Sequence, residues 1–329
     1  MARPKIQPVV WQPPKLGLRS RPARSLPPLR VLQVNGHGTE DVLVDEKGNV
    51  FTGLRDGRIL RLTPDGRRLD TVAETGGRPL GIELYPDGRL LVCDASRGLL
   101  LVDRSSRAVE VLVPKGPNLS LCNNAGVAAD GTVYFTDSTN RFELADYVAD
   151  LLEHSGTGRL LRRDPNGTVD VVLTGLHFAN GVALAPDESY VVVAQTGSYR
   201  LDKVYLSGPH AGQSVVLEDN LPGFPDNIAT GSDGLIWIAL ASPRDRLLDT
   251  ASRLHPGVRK GIWAMPPRLR PKEKRTVWVR AINGETGRTV HEFFGTPPDF
   301  HMVTGVREHD GTVYLGSLEE RAIASFRIP

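Results

Sequence analysis

One nine-residue pattern recurs six times along the chain: EDVLVDEKG from Glu40, LGIELYPDG from Leu80, NNAGVAADG from Asn123, NGVALAPDE from Asn180, DNIATGSDG from Asp226 and VTGVREHDG from Val303. Each copy has a head residue, a short apolar run and a polar or glycine turn. A second β-prone run follows each turn: VFTG, LLVCD, VYFTD, YVVVAQT, LIWIAL and VYLGSL. Two such runs around a Gly/Asp turn are a hairpin signal. Third and fourth strands follow in most copies, as in RILRLTPDG then RRLDTVAE. A unit of roughly 40 to 60 residues with four short strands matches a propeller blade. The expected fold is all-β, a six-bladed β-propeller with four-stranded antiparallel blades.

The sixth unit ends after about three strands, at AIASFRIP, and LRVLQV (29–34) is expected to supply the missing outer strand. Closing the ring in this way hides the open sheet edges. Residues 1–28 read as a Pro/Arg-rich extension, either a solvated tail or a strap over the fold, and 29–329 as one propeller domain. Two connections exceed turn length, near 140–158 and 243–260. In the first, Leu144, Tyr147, Val148, Leu151 and Leu152 follow helical spacing. Both connections follow a second strand, which ends on the face where the first strand begins. They are therefore expected to lid the mouth toward which the heads point, with Phe142, Tyr147 and Leu151 suggesting a moderately hydrophobic ligand.

Four of the six heads are polar: Glu40, Asn123, Asn180 and Asp226, against Leu80 and Val303. Asn and Asp are common at strand starts for local reasons, but four at one repeated register converge on one axis. Two carboxylates and two amide oxygens make a hard, all-oxygen set suited to one Ca²⁺, with Mg²⁺ the smaller alternative and no His or Cys head for zinc. Asn124 and Asn227, next along, are candidate supporting ligands.

A net charge of +2 gives no nucleic-acid or membrane footprint, and a small-molecule substrate is the expected partner. Oligomeric state leaves no trace in the sequence. Without a secretory signal or a long apolar stretch, a cytoplasmic protein is expected. Cys93 and Cys122 fall on neighbouring blades and read as buried free thiols, a bond between them being the alternative. The Arg-rich 268–275 reads as solvated. There is no G-x-S-x-G, P-loop or H-E-x-x-H.

GRPLGI (77–82), DGTVYFTDST (130–139), TGRLLRRDP (157–165), GLHFANGVALAPD (175–187), LPGFPDNI (221–228) and VREHDGTVYLGSLEE (306–320) together resemble the strictosidine synthase-like proteins, within the propeller group that includes gluconolactonase-type lactonases and paraoxonases. The resemblance runs from about residue 36 to the C-terminus. It implies the same propeller and, in the hydrolase branches, a catalytic Ca²⁺ held by Glu40, Asn123, Asn180 and Asp226. Alignment through REHDG puts Thr304 where true strictosidine synthases carry a catalytic glutamate. A hydroxyl cannot act as that carboxylate base at neutral pH, which counts against Pictet-Spengler condensation. FANG replaces the more usual FPNG, a change expected to alter only local stiffness.

The reading is calcium-dependent hydrolysis of a lactone or other ester. Asp226 is a candidate base or nucleophile and His301 a candidate proton relay, while His37, His177, Asp137 and Thr304 are further pocket candidates. Asp94, Asp137 and Ser138 equally suit strand-end capping. The alternatives are a condensing enzyme and a ligand-binding propeller with a structural ion.

Overall fold

The structure is a computed structural model and describes residues 3–16, 23–270 and 273–329. Six sheets of consecutive strands succeed one another along the chain, each antiparallel within itself, and form the six blades of a propeller. Blade one runs from Val42–Val44 to Leu69–Glu74, and blade five from Gly223–Thr230 to Thr289–Gly295. Arg30–Gln33 pairs antiparallel with Ala322–Arg327 and supplies the outer strand of blade six, as the sequence predicts. One pairing lies outside the repeat: Arg24–Ser25 adds in parallel to the outer edge of blade five. Large apolar side chains fill the spaces between blades. Between blades five and six lie Trp237, Phe293, Phe300 and Phe326, all buried, with Phe293 and Phe326 packed edge to face at 5.1 Å.

One device recurs at the start of the inner strand in five blades. Residues 80–81, 123–124, 180–181, 226–227 and 304–305 each oppose a single residue on the neighbouring strand, the signature of a β-bulge. A bulge re-aims side chains, here both the head and the residue after it. It also corrects the expected register. The blade-six hairpin joins His309 to Thr312 with a shorter turn than the other copies, so counting back from the turn gives Val303 where the head is Thr304.

The residues after the heads alternate around the axis: Asp41, Gly81, Asn124, Gly181, Asn227 and Gly305. The glycines are there because the bulky polar neighbours leave no room. A Cβ on Gly305 would lie 2.6 Å from Asp41 Cα, and one on Gly181 would lie 2.2 Å from Ile228 N. Hydroxyls then lock blade to blade, Thr136 donating to the Asn180 carbonyl and Thr304 to the Glu40 carbonyl, both at 2.7 Å.

Cys93 and Cys122 are buried free thiols in one apolar cluster. The first insertion forms helix α1, Tyr147–Glu153, preceded by a 3-10 turn. The second is longer than 243–260 and fills the whole stretch between strands Ile236–Pro243 and Val277–Ile282. It carries helices α2, Arg246–Arg253, and α3, Gly257–Ala264. Asp245 caps α2 by accepting from the Leu247 and Leu248 N–H groups.

Residues 3–16 lie as a strap across these insertions. Val9 N–H donates to the Glu153 carbonyl and Trp11 N–H to that of Ser252, while Trp263 Nε1 donates to the Pro4 carbonyl at 2.8 Å. Arg259, fully buried, joins all three segments by donating to the carbonyls of Leu152 and Val9. Arg259→Met is expected to leave two carbonyls without their donor. It should loosen the cap by about 2 kcal/mol, read as faster amide exchange in 147–153 and 246–264 with the blades unaffected.

Candidate metal centre and its cavity

All six heads, Glu40, Leu80, Asn123, Asn180, Asp226 and Thr304, line one cavity of about 160 Å³. Five are polar and one is apolar. Above them the walls are mostly apolar and come from both insertions and the strap, including Leu144, Tyr147 and Leu151 around α1, Leu248 on α2, Ile262 on α3 and Trp11. Phe142 is instead packed behind the wall, with Ile6, Leu152 and Trp263.

Four non-glycine residues around the mouth hold positive φ: His154 (57°), Phe178 (54°), Tyr199 (56°) and Met302 (49°). Phe178 and Met302 stand two residues before a head, and both line the cavity. Left-handed backbone at non-glycine residues is strained and clusters where a site needs a particular direction. On one side Trp11, Tyr199 and Phe224 make an aromatic wall, with ring centroids 5.6 Å and 5.0 Å apart in turn.

The four predicted ligands meet as follows. Glu40, Asn123 and Asn180 are buried, and Asp226 is partly open to the cavity. Asn180 Nδ2 donates to Asp226 Oδ1 at 3.0 Å and to Thr196 Oγ1 at 3.1 Å, which orients its amide against an acceptor-only carboxylate. Asn123 Nδ2 donates to Ser138 Oγ at 2.8 Å. Asn227 Nδ2 reaches both carboxylate oxygens of Glu40 at 3.2 Å. This leaves three buried amide oxygens, Asn123 Oδ1, Asn180 Oδ1 and Asn227 Oδ1, with no donor among the described residues. Buried polar atoms are rarely left so.

The charges point the same way. Burial, with Asp226 and Asp41 beside it, holds Glu40 well above the usual carboxylate range. Burial likewise pushes Asp226 and Asp41 up to about 7. Two carboxylates and unsatisfied carbonyl oxygens, all hard donors, fit a divalent cation such as Ca²⁺. Among the described residues no group of three or more His, Cys, Asp and Glu competes as a metal site.

Other predicted residues have different places. Asn124 lies one layer deeper, donating to Asp41 Oδ2 at 3.2 Å and accepting from Val182 N–H at 2.8 Å, and so joins three blades. Thr304 is in the cavity, but its hydroxyl is committed to the Glu40 carbonyl. Asp137 is fully buried, caps the Ser120 and Leu121 N–H groups and pairs with Arg159, which is strand-end capping rather than chemistry. Asp94 does the same for Arg78, Ser96 and Arg97 N–H groups.

The histidine expectations are corrected by position. His301 does not line the cavity, because Glu320 and Arg275 hold its ring. His37 is likewise outside it and accepts from Arg321. His177 stacks at 3.8 Å on His154, which stacks at 4.1 Å on Trp11, so its ring braces the strap. Burial lowers His177 to about 4 and His154 to about 2, which keeps the stack neutral.

Three contributors escape sequence reasoning. Trp11 lies in a segment read as a tail or strap. Arg78, inside GRPLGI, is buried and acts on Glu40 as its compensating charge. Arg270, from the stretch read as solvated, stacks over Trp263 at 4.1 Å and lines the cavity.

Comparison with known proteins fits this architecture. The strictosidine synthase model matches residues 123–209, and the model for the N-terminal part of strictosidine synthase-like proteins matches 28–62. The adipocyte plasma membrane-associated protein of Rattus norvegicus is 34% identical over 317 residues, covering 87% of this chain and 81% of its own. Strictosidine synthase-like 6 of Arabidopsis thaliana is 37% identical over 211 residues, covering 62% of this chain and 56% of its own.

Among solved structures, a gluconolactonase from Xanthomonas campestris superposes with a TM-score of 0.66 at 17% identity, over 92% of this chain and 89% of that one. A calcium-binding regucalcin from Agrobacterium tumefaciens gives 0.63 at 13%, over 90% and 92%. At such identities the likeness concerns the fold. The relatives' names also overturn the cytoplasmic expectation, since three of them, from rat, mouse and human, are named for association with the plasma membrane. The lack of a long apolar stretch concerns spanning a membrane and does not address attachment to one. Identity over most of both chains, the two family models and the six-bladed fold together place this chain in the strictosidine synthase-like family.

Proposed function

We propose that the protein is a calcium-dependent hydrolase of a lactone or other ester with a hydrophobic body. The observation carrying this reading is the set of orphaned buried oxygens, Asn123 Oδ1 and Asn180 Oδ1, beside Glu40 and Asp226 on the floor of an apolar, lidded cavity. The solved gluconolactonase with the same fold supports it. Glu40, Asn123, Asn180 and Asp226 would hold the ion, with Asn227 keeping Glu40 in place. When bound, the ion supplies Lewis acidity toward a carbonyl oxygen and stabilises negative charge that develops there.

The chain's own groups do the rest. Tyr147, bonded through its hydroxyl to Glu273 at 2.9 Å, holds the α1 side of the lid to the second insertion. The insertions and strap exclude water from the apolar body of the ligand. The Trp11–Tyr199–Phe224 wall would orient it. Asp226 is the more exposed of the two carboxylates that line the cavity, and in this reading it would take a proton from an attacking water or attack itself. Thr304, tied to the Glu40 carbonyl, offers no base, and this disfavours condensation chemistry.

Chelation is the direct test. Stripping divalent ions should abolish turnover of phenyl acetate and of medium-chain γ- and δ-lactones, and Ca²⁺ should restore it. With Ca²⁺ bound, failure to turn over any member of such a panel would favour the ligand-binding propeller instead.

A further inference from the structure

The outer face of the cap is built against the usual rule for surface helices. Helix α2 buries Asp249, Ala251 and Ser252 and turns Arg246, Leu247, Thr250 and Arg253 to solvent, and Leu254, its C-cap, is exposed as well. Leu247 is 70% exposed, and so is Leu269 in the 3-10 turn after α3. Val258, Met265 and, on the strap, Val9 and Val10 are exposed on the same cap. Solvent-facing leucines from α2 and from the turn after α3, together with valines from the strap, thus share this cap, and exposed apolar side chains gathered on one part of a protein mark an interaction surface.

The charge around them is uneven. Residues 3–16 and 244–270 carry ten basic and two acidic side chains, in a chain whose total is only +2. Both acids are used internally: Asp245 caps α2, and Asp249 pairs with the buried Arg244 at 2.7 Å. Lys5, Lys15, Arg246, Arg253, Lys260 and Arg268 are exposed on the same segments. Near-neutral net charge therefore hides a strongly basic, apolar-tipped face. Among the described residues no helix is long and apolar enough to cross a membrane.

We propose that this face docks on an anionic lipid bilayer. The leucines, valines and methionine would enter the headgroup–acyl boundary, and the lysines and arginines would meet lipid phosphates and carboxylates. The occupant follows from the pattern. Apolar tips among exposed cations, on segments whose own two acids are both engaged, match a surface that is apolar below and anionic above. The same helices turn Leu248 and Ile262 into the cavity. The wall that touches ligand thus has the lipid-facing surface on its other side, and an apolar ligand has a short path from bilayer to site.

The test is flotation of the full chain with phosphatidylcholine vesicles, with and without about 30% phosphatidylserine. The parent should float with the anionic vesicles and largely be released by 0.5 M salt, the order expected for exposed charges. Leu247→Asp with Leu269→Asp should weaken binding at least about tenfold. Arg246→Glu with Lys260→Glu and Arg268→Glu should do the same, and both variants should keep the parental thermal midpoint because every altered side chain is exposed. No flotation of the parent, or equal flotation of all three proteins, overturns the proposal. Because the assay needs no turnover, it can fail while the hydrolase reading stands, and the reverse.

Discussion

Glu40→Gln is expected to lower turnover of phenyl acetate or lactones by at least about 100-fold while making the metal-free protein more stable, by about 1 to 3 kcal/mol. The opposite signs are what make the experiment informative. Glu40 is buried beside Asp226 and Asp41, and burial together with those two charges opposes its ionisation. Replacing it with a neutral group of the same shape removes that burden and keeps the hydrogen-bonding potential toward Asn227. The same change takes away one of two carboxylates on which the proposed ion depends. Loss of activity together with loss of stability would instead mean that Glu40 holds up the fold.

Gly181→Ala is expected to cost at least about 3 kcal/mol. The new Cβ would sit 2.2 Å from Ile228 N and 2.7 Å from the Asn227 backbone, so the clash is with the main chain of the adjacent blade and cannot be relieved by a rotamer change. Because Asn180 precedes it in the same bulge, Ca²⁺ affinity should fall as well. Chemical denaturation of the parent and variant measures the first effect. Gly261→Ala is the control: it lies in α3 with no atom within 4 Å of a Cβ, and should be neutral or slightly stabilising. Equal stability of parent and Gly181→Ala would mean that the blades are not packed at the axis as described.

Blade number and the convergence of Glu40, Asn123, Asn180 and Asp226 were legible because both depend only on the period of the repeat. A repeated offset places every head at the same point of its blade, and closure of the ring brings those points to one axis. The sixth head was misread as Val303 because the offset was counted from a turn, and the blade-six turn is shorter. The bulge, which does not depend on turn length, places Thr304 there.

Residues outside the repeat were harder to place. His301 lies close in sequence to the sixth head, but Glu320 and Arg275 draw its ring away, and neither contact is visible in spacing. Trp11 belongs to a Pro-rich segment without periodicity. Its place depends on His154, which ends α1 in a left-handed conformation, and on His177 behind it. The basic face was invisible for a simpler reason, because a total charge averages over faces that folding separates.

Calorimetric titration of the metal-free protein with Ca²⁺ tests the central claim most directly. One ion per chain should bind, and binding should be lost in both Glu40→Gln and Asn180→Leu while the Leu247→Asp/Leu269→Asp protein retains it. No saturable binding by the parent, or binding undiminished in the two site variants, would contradict the assignment of the propeller axis as a metal centre.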